Sequence, residues 1–250
     1  MEQYEKCAWR WYLQRVERVP PRPAAWSMHG TAFHSAAEAW ERSARTMDDE
    51  AVRGVFREQY TDMVTKALEM EPNTDLWLSA GRYSGGEDIE RRYRLGLEQT
   101  TAYVAWTRTA APSIWTLPES GEPALELYFM VELGGIKVRG YIDQVLEDSE
   151  RSVRVRDLKT GSTKSKFQLQ TYAVAIRKQW GTKVDTADWY LARDGRLSRP
   201  VKVGGVSEDE IGQRFADMDE GVKAGRVPAK PGYDCRFCDV AHACLLSEKS

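Results

Sequence analysis

The chain has 250 residues, of which 42% are hydrophobic and 30% charged, with a formal net charge of −2. That length leaves room for a real core in one large or two small domains, and no apolar run approaches the roughly eighteen residues of a membrane span. The near-neutral balance gives no global attraction to nucleic acid, and Arg10, Arg15 and Arg18 interrupt the apolar runs near the N-terminus, so no signal peptide is expected there.

In chain order, residues 1–19 read as a helix carrying Cys7 and ended by Pro20, Pro21 and Pro23. Thr31 is placed to N-cap a second helix reaching about Arg45. On it His34 and Glu38 are i, i+4 neighbours, and Phe33, Ala37, Trp40 and Ala44 form an apolar side. Two further helices are expected over Val52–Glu69 and Glu87–Ala110, with a Gly/Ser-containing break at Ser79–Gly86. The segment 46–118 therefore reads as a helical insertion.

The pattern then changes period. Leu125, Leu127, Phe129, Val131 and Leu133 alternate with mostly polar residues, the signature of a half-buried strand, and Gly134-Gly135 signals a hairpin. A second strand is expected from Ile136 to about Glu147, a turn at Asp148–Arg151, and a third strand over Ser152–Leu158. A helix at about Lys164–Trp180 follows, then strands at Thr186–Ala192 and Leu197–Val203 meeting at Asp194-Gly195. Ser207 and Glu210 form a capping box opening a last helix to about Ala224. These elements predict an α/β architecture of the α+β kind, a mixed sheet flanked by helices, in one domain over 1–250.

The chemistry-bearing residues fall into two groups. On the third strand Val153, Val155, Asp157 and Lys159 share a face, and antiparallel pairing brings Asp143 of the second strand close to Asp157. Two converging carboxylates repel unless a cation lies between them, and hard ions such as Mg²⁺ or Mn²⁺ take such oxygen ligands. The other group is cysteine: Cys7 near the start and Cys235, Cys238 and Cys244 in a C-x2-C-x5-C cluster near the end. Four thiolates suit structural zinc or an iron–sulfur cluster, and either requires the fold to bring both ends of the chain together, over 1–19 and 226–250. Metal-type cysteines fit a reducing interior, so a cytoplasmic location is expected. Basic residues also concentrate over Arg151–Lys178 and Lys6–Arg22, the latter interleaved with Trp9, Trp11 and Tyr12, which suits a phosphate-binding surface.

Taken in order, these residues resemble a family pattern. Gly30-Thr31-Ala32-Phe33-His34 is similar to G-x-x-x-H, Gly140-Tyr141-Ile142-Asp143 to G-x-x-D, Asp157-Leu158-Lys159-Thr160-Gly161 to D-x-K-T-G, and Gln168–Tyr172 to Q-x-x-x-Y. With Tyr4-Glu5-Lys6-Cys7 and the late cysteines, the chain resembles RecB-type nucleases of the PD-(D/E)xK superfamily. The resemblance is to their iron–sulfur branch, which includes AddB and the CRISPR-associated Cas-four exonucleases. It implies a restriction-endonuclease-like core and a metal-dependent deoxyribonuclease, with exonuclease action expected in recombination, repair or phage/CRISPR-type DNA processing.

By the same resemblance His34, Asp143, Asp157 and the Leu158 carbonyl hold Mg²⁺ or Mn²⁺. Lys159 assists a nucleophilic water, and Gln168 and Tyr172 position it or the phosphate. Glu38 is a further candidate around the metal. Cys7, Cys235, Cys238 and Cys244 carry a [4Fe–4S] cluster. DNA is the expected partner. The sequence lacks a helicase P-loop, so any unwinding falls to a helicase or recombination partner. Two departures stand out: Ile142 occupies the place of the superfamily's proline, and Met1 lies almost on a motif that a Ser-rich stretch usually precedes, which leaves an upstream extension open. The rival reading is a non-catalytic nucleic-acid-binding module with a four-Cys zinc site.

Overall fold

The computed structural model describes residues 1–79, 81–149, 152–161 and 165–247. Two short helices, α1 (Glu2–Lys6) and α2 (Ala8–Arg15), precede three long ones, α3 (Ala25–Arg42), α4 (Asp49–Met70) and α5 (Gly85–Ala110). A meander follows: β1 (Leu125–Leu133), β2 (Ile136–Ser149) and β3 (Ser152–Lys159). Then come α6 (Lys166–Trp180), β4 (Lys183–Leu191), β5 (Arg196–Leu197), β6 (Val201–Lys202) and α7 (Glu208–Lys223).

The strands form one mixed sheet in the order β1-β2-β3-β4-β5, with β6 also paired to β4. Neighbours are antiparallel except β3 and β4, which run parallel with α6 as the crossover that parallel pairing needs. The burial of β1 alternates along most of its length, as its sequence period demands, whereas β3 is buried on both faces. The β1–β2 turn places Gly134 and Gly135 at φ +58° and +76°, the left-handed pair a tight hairpin requires. A Cβ on Gly134 would stand 2.2 Å from the Gly212 carbonyl oxygen, so the turn and α7 can touch only because both residues lack a side chain.

One face of the sheet packs under α6 and α7 through Phe129, Val153, Val155, Leu169, Val174 and Ile211. The other packs under α3, α4 and α5, where Phe33, Trp40, Phe56, Tyr60 and Tyr103 meet Leu158 and Tyr190 from the strands. Between β3 and β4 a buried ion pair spans the register: Arg156 donates to Asp188 at 2.6 and 3.0 Å, and its guanidinium lies 5.1 Å from the Trp106 ring centroid. Among the described residues no helix is long and apolar enough to cross a membrane.

Three elements depart from the sequence expectation. The N-terminal helix breaks at Cys7, whose backbone is extended (φ −159°, ψ 102°) and whose thiol accepts the Arg10 amide, turning one helix into α1 and α2. Helix α3 starts at Ala25 and not at Thr31. The Thr31 hydroxyl bonds the Ser27 carbonyl one turn back, the interior alternative to capping for this residue type. The strand expected over Leu197–Val203 is split into β5 and β6, with Pro200, which lacks an N–H, in the gap. Part of the expected break at Ser79–Gly86, the end of the expected turn at Asp148–Arg151 and the expected helix start at Lys164 lie outside the described residues.

The two ends of the chain do meet. The Trp9 amide donates to the Pro228 carbonyl (3.3 Å) and the Arg22 amide to the Asp239 carbonyl (2.8 Å). The Tyr4 hydroxyl donates to the Arg226 carbonyl (2.6 Å), and Arg10 pairs with the Asp239 carboxylate at 3.0 Å.

Candidate active site

The site begins where the meander stops being regular. Gln144 faces Arg156 across β2 and β3, so the next step along that antiparallel register brings Asp143 opposite Asp157. On β2, Ile142 joins the core beneath α6, whereas Gln144 donates to the Tyr103 hydroxyl on the opposite face of the sheet (2.6 Å). Two residues of equal parity thus face opposite sides, and the strand switches faces at Asp143. The Gly140 of the motif is needed for packing: a Cβ there would lie 2.9 Å from the Phe129 ring.

The partner strand does the same. Glu126 sits between the pairs Leu125–Gln144 and Leu127–Ile142 and has φ +44°, a left-handed conformation uncommon in a non-glycine residue and a marker of functional positions when it occurs. The kink brings its carboxylate beside Asp143. Helix α3 supplies His34, whose Nδ1 lies 3.5 Å from a Glu126 oxygen and 3.6 Å from Asp143 Oδ2. One ligand atom from each of His34, Glu126 and Asp143 falls within 4.8 Å of the others. The second imidazole nitrogen, Nε2, is 3.0 Å from the Leu158 carbonyl, an acceptor, so Nε2 is the donor and Nδ1 faces the carboxylates. That carbonyl, expected as a ligand, here orients the histidine. Asp143 in turn accepts the Leu158 amide at 2.6 Å.

Asp157 and Lys159 lie at the end of β3. The Lys159 ammonium stands 2.8 Å from Asp157 Oδ2 and donates to Oδ1 at 3.0 Å. It also donates to Gln168 Oε1 at 3.3 Å, and the Gln168 amide donates to the Tyr172 hydroxyl at 2.8 Å. The i, i+4 spacing of Gln168 and Tyr172 on α6 makes this relay possible, and Ser165 fixes the helix start by accepting the Gln168 amide. Glu38 is salt-bridged to Arg42 at 2.7 Å and lines the same opening as His34 and Glu126.

The electrostatics are those of crowded carboxylates. Burial, then the neighbouring Asp143 charge, pushes Asp157 up to about 7 against the pull of Lys159. Burial likewise raises Asp143, opposed by His34. Burial works to lower His34, but Asp143, Glu126 and Asp157 outweigh it and raise the imidazole to about 9. A nitrogen and two carboxylate oxygens gathered this closely, with excess negative charge around them, fit a divalent cation.

All four cysteines line one small cavity behind α2, together with Leu13 and Pro231, and all four are free thiols. Burial raises the Cys238 thiol, opposed by a backbone hydrogen bond at Val240 and by the Arg10 charge. Four thiols are by their chemistry the donor set of a thiolate-bound metal group, and among the described residues no three of their sulfurs lie within 4.8 Å of one another.

The family model for the PD-(D/E)XK nuclease superfamily matches residues 1–245. The chain belongs to the PD-(D/E)XK nuclease superfamily. Its mixed sheet flanked by helices is the restriction-endonuclease-like arrangement of this superfamily, whose nucleases use divalent metals. Two "Gene 69" proteins are similar to this superfamily member along nearly all of both chains. That of Mycobacterium phage D29 is 40% identical over 98% of this chain and 94% of its own. That of Mycobacterium phage L5 is 35% identical over 98% and 93%. The crystal structure of SSO0001 aligns with a TM-score of 0.37 and 13% identity, covering 90% of this chain and 100% of that one.

The structure brings His34, Asp143, Asp157, Lys159, Gln168 and Tyr172 together in one region. Glu126 escaped the sequence reading, although a signal for it existed. Counting outward from a two-residue turn at Gly134-Gly135, position 126 falls opposite 143, so the hairpin itself points from one carboxylate to the other.

Proposed function

We propose that this chain is a Mg²⁺- or Mn²⁺-dependent deoxyribonuclease that hydrolyses DNA phosphodiester bonds, acting as an exonuclease. The observation that carries the reading is the junction of the His34–Glu126–Asp143 group with a lysine held by Asp157 and Gln168. His34 Nδ1, Glu126 and Asp143 would hold the cation, with Asp157 adjoining. Bound there, the ion supplies Lewis-acid polarisation of the scissile phosphate and lowers the pKa of water.

The remaining work belongs to side chains. Among the described residues Lys159 donates to two side chains, Asp157 and Gln168, which aim its ammonium so that it can also serve the attacking water or the charge that develops on the phosphoryl oxygens. Tyr172 holds Gln168, and Gln168 holds Lys159. The Leu158 carbonyl fixes the tautomer that leaves Nδ1 of His34 available as a ligand.

The four cysteines are assigned to a [4Fe–4S] cluster that joins the chain ends beside the DNA path and has a structural role. On this reading the chain is a member of the iron–sulfur branch of RecB-type nucleases. The phage origin of the two relatives favours phage DNA processing among the pathways open to such an enzyme.

The test is hydrolysis of end-labelled linear DNA and of covalently closed circles with Mg²⁺ or Mn²⁺. Release of mononucleotides or short fragments from linear DNA, abolished by EDTA, with circles left intact, is the expected result. Metal-independent cleavage, or none with either ion, would contradict the proposal.

A further inference from the structure

A basic cleft of about 810 Å³ opens beside β4 and shares no residue with the cysteine cavity or with the opening at His34. One wall is the strip 196–202, which carries β5 and β6 along the outer side of β4. Ser198 holds this strip in place: its amide donates to the Trp189 carbonyl (2.8 Å) and its hydroxyl accepts the Trp189 amide (3.1 Å). The opposite wall is the start of α6, through Lys166 and Gln170. These positions are two residues out of step with Gln168 and Tyr172, so α6 turns one face to Lys159 and another to the cleft. Lys166, Arg196, Arg199 and Lys202 stand exposed around the rim, and among the described residues no acid lines the cleft. Of these four cations only Arg196 reaches a carboxylate among the described residues, Asp194 at 3.7 Å. Below the rim the lining is apolar, with Leu191, Leu197, Val201 and Trp189. Trp189 is only 5% exposed, and its indole N–H is buried with no acceptor among the described residues.

We propose that this cleft docks an extended acidic segment of a partner protein, one in which Asp or Glu is interleaved with apolar side chains. Cations gathered without neutralising acids attract an anionic ligand, and a cluster of basic side chains is a recurring reader of acidic motifs. The apolar lining selects among anions. A nucleic-acid backbone would meet the rim and leave Leu197 and Val201 uncovered, and Trp189 is too deeply buried to offer a ring face to a base. A peptide of mixed character satisfies both layers: its apolar side chains cover the lining, its acids meet the rim, and a backbone carbonyl can accept the orphaned indole N–H. The volume lies in the range of pockets that enclose one small organic ligand, roughly 300–1,000 Å³, which suits a few residues of such a segment. The inference does not depend on the nuclease chemistry, since the cleft tethers the chain to a partner whatever reaction the metal site performs.

Fluorescein-labelled short peptides of alternating Glu and Leu, of alternating Glu and Ser, and of alternating Lys and Leu are titrated with the full chain and read by anisotropy. The Glu–Leu peptide should bind at least about tenfold more tightly than the Glu–Ser peptide, the least that burying one leucine contributes, and the Lys–Leu peptide should not bind. Arg199→Glu combined with Lys202→Glu should weaken the Glu–Leu peptide at least about tenfold and leave the rate of DNA hydrolysis unchanged. On the unmutated chain, which keeps the test independent of variant folding, the peptide should slow amide hydrogen exchange over 196–202 and at the start of α6. No binding of the Glu–Leu peptide, equal affinity for the Glu–Ser peptide, unchanged binding by the double variant, or protection confined to other surfaces would overturn the inference. Displacement of the peptide by a blunt DNA duplex, with hydrolysis slowed in the double variant, would overturn it in favour of the DNA backbone as occupant.

Discussion

Lys159 is held by one carboxylate and one amide, and that pair of acceptors aims its side chain. Replacing Lys159 with Met should lower the hydrolysis rate by about 10²–10⁴-fold with the circular dichroism spectrum and metal affinity unchanged, the range expected for a group acting on the proton of the attacking water. A variant retaining the wild-type rate would remove the lysine from the mechanism. Glu126→Gln removes one negative charge from the trio, so Mn²⁺ affinity and cleavage should fall together. Loss of neither would leave the kink in β1 without a functional role. The motif residues are legible in the sequence because each lies in a short pattern of fixed spacing. Glu126 lies in no such pattern, and the one signal for it is the hairpin register, which counted outward from Gly134-Gly135 sets it opposite Asp143.

Among the elements, the sheet is held by more than apolar burial. Arg156 and Asp188 are both almost fully buried, so Arg156→Met, which leaves Asp188 only its longer 3.4 Å contact to Arg154, should cost about 3 kcal/mol in urea unfolding. The double change Arg156→Met with Asp188→Leu should recover most of that loss. A single variant as stable as wild type would show that the pair contributes nothing.

The helical layer carries its own pH dependence. His29 of α3 is buried beside Phe56 of α4 and Arg92 of α5, and burial first, then Arg92, lowers it to about 4. The unfolded chain, with an ordinary histidine near 6.5, binds a proton in this window that the folded chain does not. The contribution is therefore complete above about pH 6.5 and is lost as the pH falls toward 4, by roughly 3 kcal/mol. In His29→Gln the unfolding midpoint should vary less between pH 6.5 and 4 than in wild type. An identical pH profile would exclude His29 as the cause.

Strands β1 to β3, α4, α5 and α7 are readable from sequence because apolar periodicity and caps agree there with the tertiary packing. The start of α3 is not, because a threonine one turn inside a helix carries the same local signal as a cap. The break at Cys7 has no local signal: the extended residue between two helices places a thiol, and its reason lies at the other end of the chain.

For the molecule as a whole, the sheet with helices on both faces follows from element order. The pairing of Arg156 with Asp188 and the face switch at Asp143 depend on register between segments far apart in sequence, and no local pattern encodes them. The ends of the chain are joined by protein contacts as well as by the cysteine cavity. Aerobically purified protein should be brown, absorbing near about 400 nm. Cys7→Ser should bleach it and lower the melting temperature while leaving the metal group at His34 formed. A colourless protein with one stoichiometric zinc would replace the iron–sulfur assignment.

The proposed chemistry stands or falls on position: an imidazole from α3, carboxylates from β1, β2 and β3, and the lysine at the end of β3 must serve one divalent ion. Anomalous diffraction from a Mn²⁺-soaked crystal reads that position without passing through activity. A manganese peak touching His34, Glu126 and Asp143 beside Asp157 is the expected result. A peak at another site in a catalytically active crystal, or full activity with no peak in this group, would contradict it.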